Sequence, residues 1–239
     1  MKLIILSGAG MSAESGIPTF RGDGGLWEGL SVTEVATPEA FKKNPERVIR
    51  FYNERHTSIL AAQPNPGHLI LAELEQYFDV QIITQNIDDL HERAGSTKTL
   101  HLHGEITKAR SSLYPELLYP YPASGIKLGD VCEKGAQLRP HIVWFGENVS
   151  LMPEATALCE GADALLVIGT SLQVYPANLL VYEVPYACPI LVIDPEAPPI
   201  ESSKHQIQYF RTTASEGMKQ VKEHLLKMHS GGQSHDQGL

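Results

Sequence analysis

Four short stretches of this 239-residue chain carry side chains of the kinds that do chemistry. The first is Ser7-Gly8-Ala9-Gly10-Met11-Ser12-Ala13, in which Gly8, Gly10 and Ala13 fit the G-x-G-x-x-G/A spacing. Glycines there let backbone N–H groups approach a pyrophosphate at a helix N-terminus, although a tight turn with no ligand uses the same residues. The second is Gln85-Asn86-Ile87-Asp88-Asp89, which follows the apolar run Ile82-Ile83-Thr84. Polar groups at the carboxyl end of a parallel strand sit where ligands bind, and they also cap helices. The third is Thr99-Leu100-His101-Leu102-His103-Gly104. Alternation along a strand puts His101 and His103 on one face. A metal pair lacks a third ligand at matching spacing, which leaves an acid–base role or a structural histidine.

The fourth is the segment Pro45–Ala62, whose pattern predicts a helix. Val48, Tyr52, Arg55 and Ile59 are spaced 4, 3 and 4 apart and share one face. Glu46, Arg50, Asn53 and Thr57 fall on the opposite, polar face. Arg55 therefore points with the apolar stripe, where a guanidinium needs an anionic or hydrogen-bonding partner. An internal salt bridge or a snorkelling head group would also satisfy it.

Elements of two kinds must hold these residues. Leu3–Leu6, Val80–Thr84, Leu100–His103, Ile142–Phe145, Leu165–Ile168, Ile190–Ile193 and Ile207–Phe210 read as strands. Several are apolar at consecutive positions, the mark of strands covered on both faces. Helical patterns lie at Pro45–Ala62, Pro66–Phe78, Pro153–Cys159, Pro176–Val184 and Ser215–Met228. That alternation predicts an α/β fold, a Rossmann-like parallel sheet with helices on both faces. Two stretches interrupt it: a long loop at 16–35, and a small inserted lobe at about 105–137 holding Tyr114, Tyr119 and Tyr121. The expected organisation is one catalytic domain over 1–229 and a polar, disordered tail over 230–239.

Composition removes several function classes. With 19 basic and 28 acidic residues the net charge is -9, which argues against a partner with a phosphate backbone. No apolar run approaches the roughly 20 residues of a membrane span. Leu3–Leu6 is shorter than a signal-peptide core of about 7–15 residues. Cys132, Cys159 and Cys188 are too scattered for a disulfide framework, so a cytoplasmic protein is expected. No second strand ending in an acidic residue follows the glycine turn at about 20 residues, as dinucleotide dehydrogenases require. A dinucleotide consumed as a substrate suits the chain better than hydride transfer.

Taken in series, Gly8-Ala9-Gly10-Met11-Ser12, Gly16-Ile17-Pro18-Thr19-Phe20-Arg21, Gln85-Asn86-Ile87-Asp88, His103-Gly104, Val143-Trp144-Phe145-Gly146-Glu147 and Gly169-Thr170-Ser171 resemble the sirtuin family in order and spacing. The resemblance runs from about Lys2 to Lys227. It implies NAD-dependent removal of acyl groups from protein lysines, giving nicotinamide and an O-acyl-ADP-ribose. NAD would lie against Gly8, Ala9, Gly10, Ser12, Ala13, Phe20, Arg21, Trp27, Gln85, Asn86, Ile87, Asp88, Gly169, Thr170, Ser171, Asp194 and Ala214. His103 and Asn86 would be catalytic, with neutral His103 the general base toward a ribose hydroxyl. Val143, Phe145 and Gly146 would border the acyl-lysine channel and pair with an extended peptide. Tyr52 and Arg55 match the branch of the family active on succinyl- and malonyl-lysine, where they would hold the acyl carboxylate. A mono-ADP-ribosyltransferase using the same NAD pocket is the alternative. No nucleic-acid or membrane partner is expected.

The chain also departs from the family. Most sirtuins bind a structural zinc through two Cys-x-x-Cys pairs, but here the corresponding stretches read Ala109-Arg110-Ser111-Ser112-Leu113 and Val131-Cys132-Glu133-Lys134-Gly135. Four ligands cannot be assembled from them. No metal is expected, and the lobe would hold itself together by packing. Asp194 stands where many relatives carry Asn.

Overall fold

The computed structural model describes residues 1–19, 26–27 and 30–233. Its strands in chain order are β1 (Lys2–Ser7), β2 (Leu26–Trp27), β3 (Leu30–Ser31), β4 (Asp79–Thr84), β5 (Thr99–His101), β6 (Gly104–Ser111), β7 (Leu118–Pro120), β8 (Leu138–Ile142), β9 (Ala164–Ile168), β10 (Ile190–Ile193) and β11 (Ile207–Phe210). Its helices are α1 (Gly10–Ala13), α2 (Val32–Val35), α3 (Pro38–Lys43), α4 (Pro45–Ala61), α5 (Pro66–Leu74), α6 (Leu90–Arg93), α7 (Met152–Glu160) and α8 (Ala214–Gln233), with a 3-10 turn over Ala177–Tyr182.

The consecutive apolar runs form one parallel sheet ordered β11-β10-β9-β1-β4-β5. Successive side chains of a strand leave opposite faces, so each run must be covered twice. Leu3 and Ile5 pack with Leu71 and Leu74 of α5 and with Met218 and Val221 of α8. Ile4 and Leu6 pack with Ala155 and Cys159 of α7 and with Leu180 of the 3-10 turn. Counted within the sheet, the strands run 3-2-1-4-5-6, and the order reverses between β1 and β9. A crevice opens there at the carboxyl ends of the strands. The predicted α/β fold is the observed one.

Helix α4 is set by its ends and its stripe. Asn44 accepts the Arg47 N–H at 3.0 Å, and Pro45 occupies the first turn, where its missing N–H costs nothing. Val48, Tyr52, Arg55 and Ile59 are all buried, as their spacing predicts. Val48, Tyr52 and Ile59 pack with Ile106, Ile142 and Trp144, which joins α4 to the lobe. The opposite face is less polar than expected. Asn53 is half-buried, and its amide brackets Ile126 of the lobe at 2.9 Å in both directions.

The lobe is larger than 105–137. Its sheet, ordered β7-β6-β8, is antiparallel and runs from Gly104 to Ile142. The expected strand Ile142–Phe145 therefore is not part of the main sheet: β8 ends at Ile142, and 143–145 form an irregular loop. Tyr121 is the core tyrosine, packed with Ile49, Ala109 and Ile126. Tyr119 is half-buried beside them, while Tyr114 lies under the Lys134 ammonium.

Other boundaries also differ. The expected loop at 16–35 contains β2, β3 and α2, the last opened by a capping box between Ser31 and Glu34. α3 went unpredicted although Thr37 caps it. α5 stops at Leu74 and the stretch expected as Pro176–Val184 is a 3-10 turn. The expected disordered tail begins inside α8, which continues to Gln233 because an established helix extends through weak formers at little cost. Residues 234–239 lie outside the described ones. Among the described residues no helix is long and apolar enough to cross a membrane.

Candidate active site

Two strand ends meet at the crevice and bring two loops into contact. After β1, the Gly8 N–H donates to the Ile168 carbonyl at 3.0 Å, and the Gly10 N–H donates to the Gly169 carbonyl at 2.8 Å. The packing leaves no room for side chains. A Cβ on Gly10 would lie 2.7 Å from the Gly169 Cα. Gly169 itself has φ of +62°, and a Cβ there would lie 2.2 Å from the Met11 nitrogen. The glycine spacing thus does serve a tight turn, and the turn forms one wall of a cavity of about 1260 Å3.

Every predicted site residue whose side chain is described lines that one cavity. Gly8, Ala9, Gly10, Ser12, Ala13, Gly169, Thr170 and Ser171 come from the turns after β1 and β9, and Gln85, Asn86, Ile87 and Asp88 from the loop after β4. His103, Val143, Phe145, Gly146, Tyr52, Arg55, Asp194 and Ala214 complete it. Phe20 and Arg21 lie outside the described residues, and only the backbone of Trp27, in β2, is described.

The loop after β4 is braced from several sides. Asp88 is buried and accepts the Ser12 hydroxyl at 2.9 Å and the Leu90 N–H at 3.2 Å. The Asn86 amide donates to the same Ser12 oxygen at 3.1 Å. Burial raises the Asp88 carboxyl above its ordinary value. The Gln85 amide reaches across to Thr170 Oγ1 at 3.1 Å, linking the loops after β4 and β9.

Each histidine of the H-x-H pair holds one carbonyl of this loop. His103 Nδ1 lies 3.0 Å from the Gln85 carbonyl, and His101 Nδ1 lies 3.3 Å from the Asn86 carbonyl. Their environments then diverge. Burial holds His103 below its ordinary value, so its ring is neutral near pH 7. Burial also opposes charge on His101, but the Glu92 carboxylate 2.9 Å from its Nε2 wins and raises it. One imidazole is an acid–base candidate, and its neighbour is a structural ion-pair partner. Strand alternation showed the shared face and could not show Glu92.

Tyr52 and Arg55 are both buried on the cavity wall, with the Arg55 guanidinium 4.8 Å from the Phe51 ring centre. The loop 143–147 lines the same cavity. Its Val143 N–H donates to the His103 carbonyl at 2.9 Å and its Phe145 N–H to the Ala36 carbonyl at 3.0 Å. Glu147 anchors it by pairing with Arg139 at 2.6 Å and Arg110 at 3.0 Å, and by accepting the Trp144 N–H at 2.8 Å.

The two stretches that stand where the family carries its Cys-x-x-Cys pairs meet at Ser111 and Cys132. Cys132 Sγ lies 3.3 Å from Ser111 Oγ, which also accepts the Tyr114 N–H at 3.2 Å. Cys159 and Cys188 are buried in the main domain, where burial pushes their thiols up to about 12 and about 11. Among the described residues no group of three or more His, Cys, Asp or Glu could hold a metal ion. The donor set does not fit a tetrahedral zinc.

A family profile described as Sir2 family matches residues 8–176. An NAD-dependent protein deacylase of Helicobacter pylori strain J99 is 49% identical over 228 residues, 95% of this chain and 97% of that one. The solved structure of a Sir2 homolog–NAD complex aligns with a TM-score of 0.82 at 39% identity, covering 95% of this chain and 90% of that chain. A Sir2 variant solved with a deacetylated p53 peptide and 3′-O-acetyl ADP-ribose aligns with a TM-score of 0.78 at 31% identity, over 93% of this chain and 92% of that one.

Proposed function

Because the chain belongs to the Sir2 family and is an NAD-dependent protein deacylase, we propose that it prefers lysines carrying succinyl or malonyl chains over acetyl-lysine. The observation that carries this reading is the buried Arg55 guanidinium beside the buried Tyr52 phenol, both on the cavity wall. A carboxylate at the end of an acyl chain supplies such a guanidinium with a charge-assisted hydrogen bond, worth about 1.5–3 kcal/mol. An acetyl group brings no charge there.

In this reading the glycine turns after β1 and β9 take the dinucleotide, since residues without side chains let the cavity wall come close to a pyrophosphate there. Bound there, NAD would supply a ribose carbon whose bond to nicotinamide breaks as the acyl oxygen bonds to it, nicotinamide being the leaving group. The Ser12–Asp88 pair holds the Asn86 amide in place at the reacting end. His103 donates its Nδ1–H to the Gln85 carbonyl in a hydrogen bond, so Nε2 carries the lone pair and accepts a ribose hydroxyl proton. Acylated proteins bind in extended form along 143–146, pairing with backbone groups other than the Val143 and Phe145 N–H, which the protein uses itself. We propose too that the lobe folds without zinc, through the Ser111–Cys132 contact and packing around Tyr121.

The test incubates the protein and NAD with acetyl-, malonyl- and succinyl-lysine forms of one peptide and weighs the products by mass spectrometry. The expected result is nicotinamide and O-acyl-ADP-ribose in equal amounts, fastest from the acidic acyl forms. Acetyl-lysine turning over fastest would reject the acyl preference. A heavier protein with untouched peptide would instead point to ADP-ribosyl transfer.

A further inference from the structure

Trp144 is buried and lies 92 residues along the chain from Tyr52, yet its indole Nε1 is 3.0 Å from the Tyr52 hydroxyl. An indole N–H donates and never accepts. The phenol oxygen is therefore the acceptor in this bond, and its own proton lies on the side away from the indole. Phenol and carboxylate can form a hydrogen bond only if the phenol donates, so the indole fixes Tyr52 in the sense that an anionic acyl chain needs.

The indole cannot easily turn aside. The Arg139 guanidinium lies over its face, 3.1 Å from the ring centre, and Phe41 packs against it with ring centres 5.3 Å apart. Glu147 accepts the Trp144 backbone N–H at 2.8 Å and grips Arg139 through both carboxylate oxygens, at 2.6 and 3.0 Å. A line of contacts thus runs from the lobe to the acyl end of the cavity: Glu147, Arg139, Trp144, Tyr52. Burial meanwhile pushes the Tyr52 phenol upward, which keeps its proton on oxygen.

Resting on the acidic-acyl reading above, we propose that Trp144 is a specificity-determining residue that positions the Tyr52 hydroxyl as a donor to the distal carboxylate of the acyl chain. It acts through Tyr52, and its ring nitrogen carries the effect.

The test is Trp144→Phe, which keeps an aromatic ring and deletes the N–H. kcat/KM is measured on succinyl- and acetyl-lysine forms of one peptide. The succinyl-to-acetyl ratio is expected to fall on the order of tenfold, the factor one charge-assisted hydrogen bond carries. Both substrates are measured on one preparation, so any unfolded fraction cancels in the ratio. In a Tyr52→Phe background the same substitution is expected to leave the ratio where Tyr52→Phe has put it, because the partner is gone. Equal losses on both substrates, or effects on the ratio that multiply across the two substitutions, overturn the proposal. Arg55→Met separates it from the reading beneath it. If Arg55→Met collapses the ratio and Trp144→Phe does not, only the Trp144 role fails. If Arg55→Met leaves the ratio intact, both fail.

Discussion

His103 Nδ1 lies 3.0 Å from the Gln85 carbonyl oxygen, a bond that can form only if Nδ1 carries the proton. The tautomer is thereby fixed by a backbone group one position past the end of β4. His103→Ala is expected to lower kcat by about 10²–10⁴-fold, the range of general-base catalysis. Isothermal titration with NAD checks that binding persists; loss of binding with the activity would assign His103 to the pocket wall instead.

The same burial sets a pH dependence of rate. His103 sits below its ordinary value near 6.5, and its neutral form is the base. Activity is therefore expected to stay near its plateau from pH 8 to 7 and to reach half of it only below pH 6.5. A kcat/KM profile that already falls between pH 8 and 7 would contradict this assignment.

Stability should respond to acid through two other histidines. His68 and His91 are buried with ring centres 4.9 Å apart, and burial lowers them to about 4 and about 3. Both folded values lie below the unfolded value near 6.5, so the unfolded chain binds more protons in between. Their contribution is complete above pH 6.5 and is lost as pH falls toward 4, at about 1.4 kcal/mol per pH unit for each titrating histidine. Urea melts at pH 7 and pH 5 check this; equal midpoints would contradict it.

Close packing of the two glycine turns predicts a steric effect. Gly10→Ala places a methyl 2.7 Å from the Gly169 Cα, so the turns must part. A cost on the order of 1–3 kcal/mol is expected, read as a lower melting temperature and a raised KM for NAD. An unchanged KM would show that NAD does not depend on this turn.

Much of the cavity was legible because its residues break local rules. Gln85, Asn86 and Asp88 put polar groups at the end of an apolar strand, and Arg55 puts a charge on an apolar helix stripe. Such conflicts mark functional sites. What stayed hidden depends on contacts between distant residues. Glu92 decides the fate of His101, and Trp144 meets Tyr52 across 92 positions. Asn53 looked like a solvated residue until the lobe was laid over it. The lobe's end was misplaced because Ile142 is apolar in either sheet, and only its pairing with Gly104 assigns it.

The lobe's chemistry gives a prediction without any activity. Elemental analysis of protein purified without added metal is expected to show no stoichiometric zinc, and a chelator is expected to leave the melting temperature unchanged. One equivalent of bound zinc would contradict the packing account of Ser111 and Cys132.

The acyl preference rests on the buried guanidinium, and Arg55→Met probes it with least ambiguity. The account predicts that kcat/KM for succinyl-lysine falls on the order of 10- to 100-fold, as expected for a lost charge-assisted hydrogen bond, while acetyl-lysine falls far less. Equal losses on the two peptides would contradict it and assign Arg55 to the architecture of the wall.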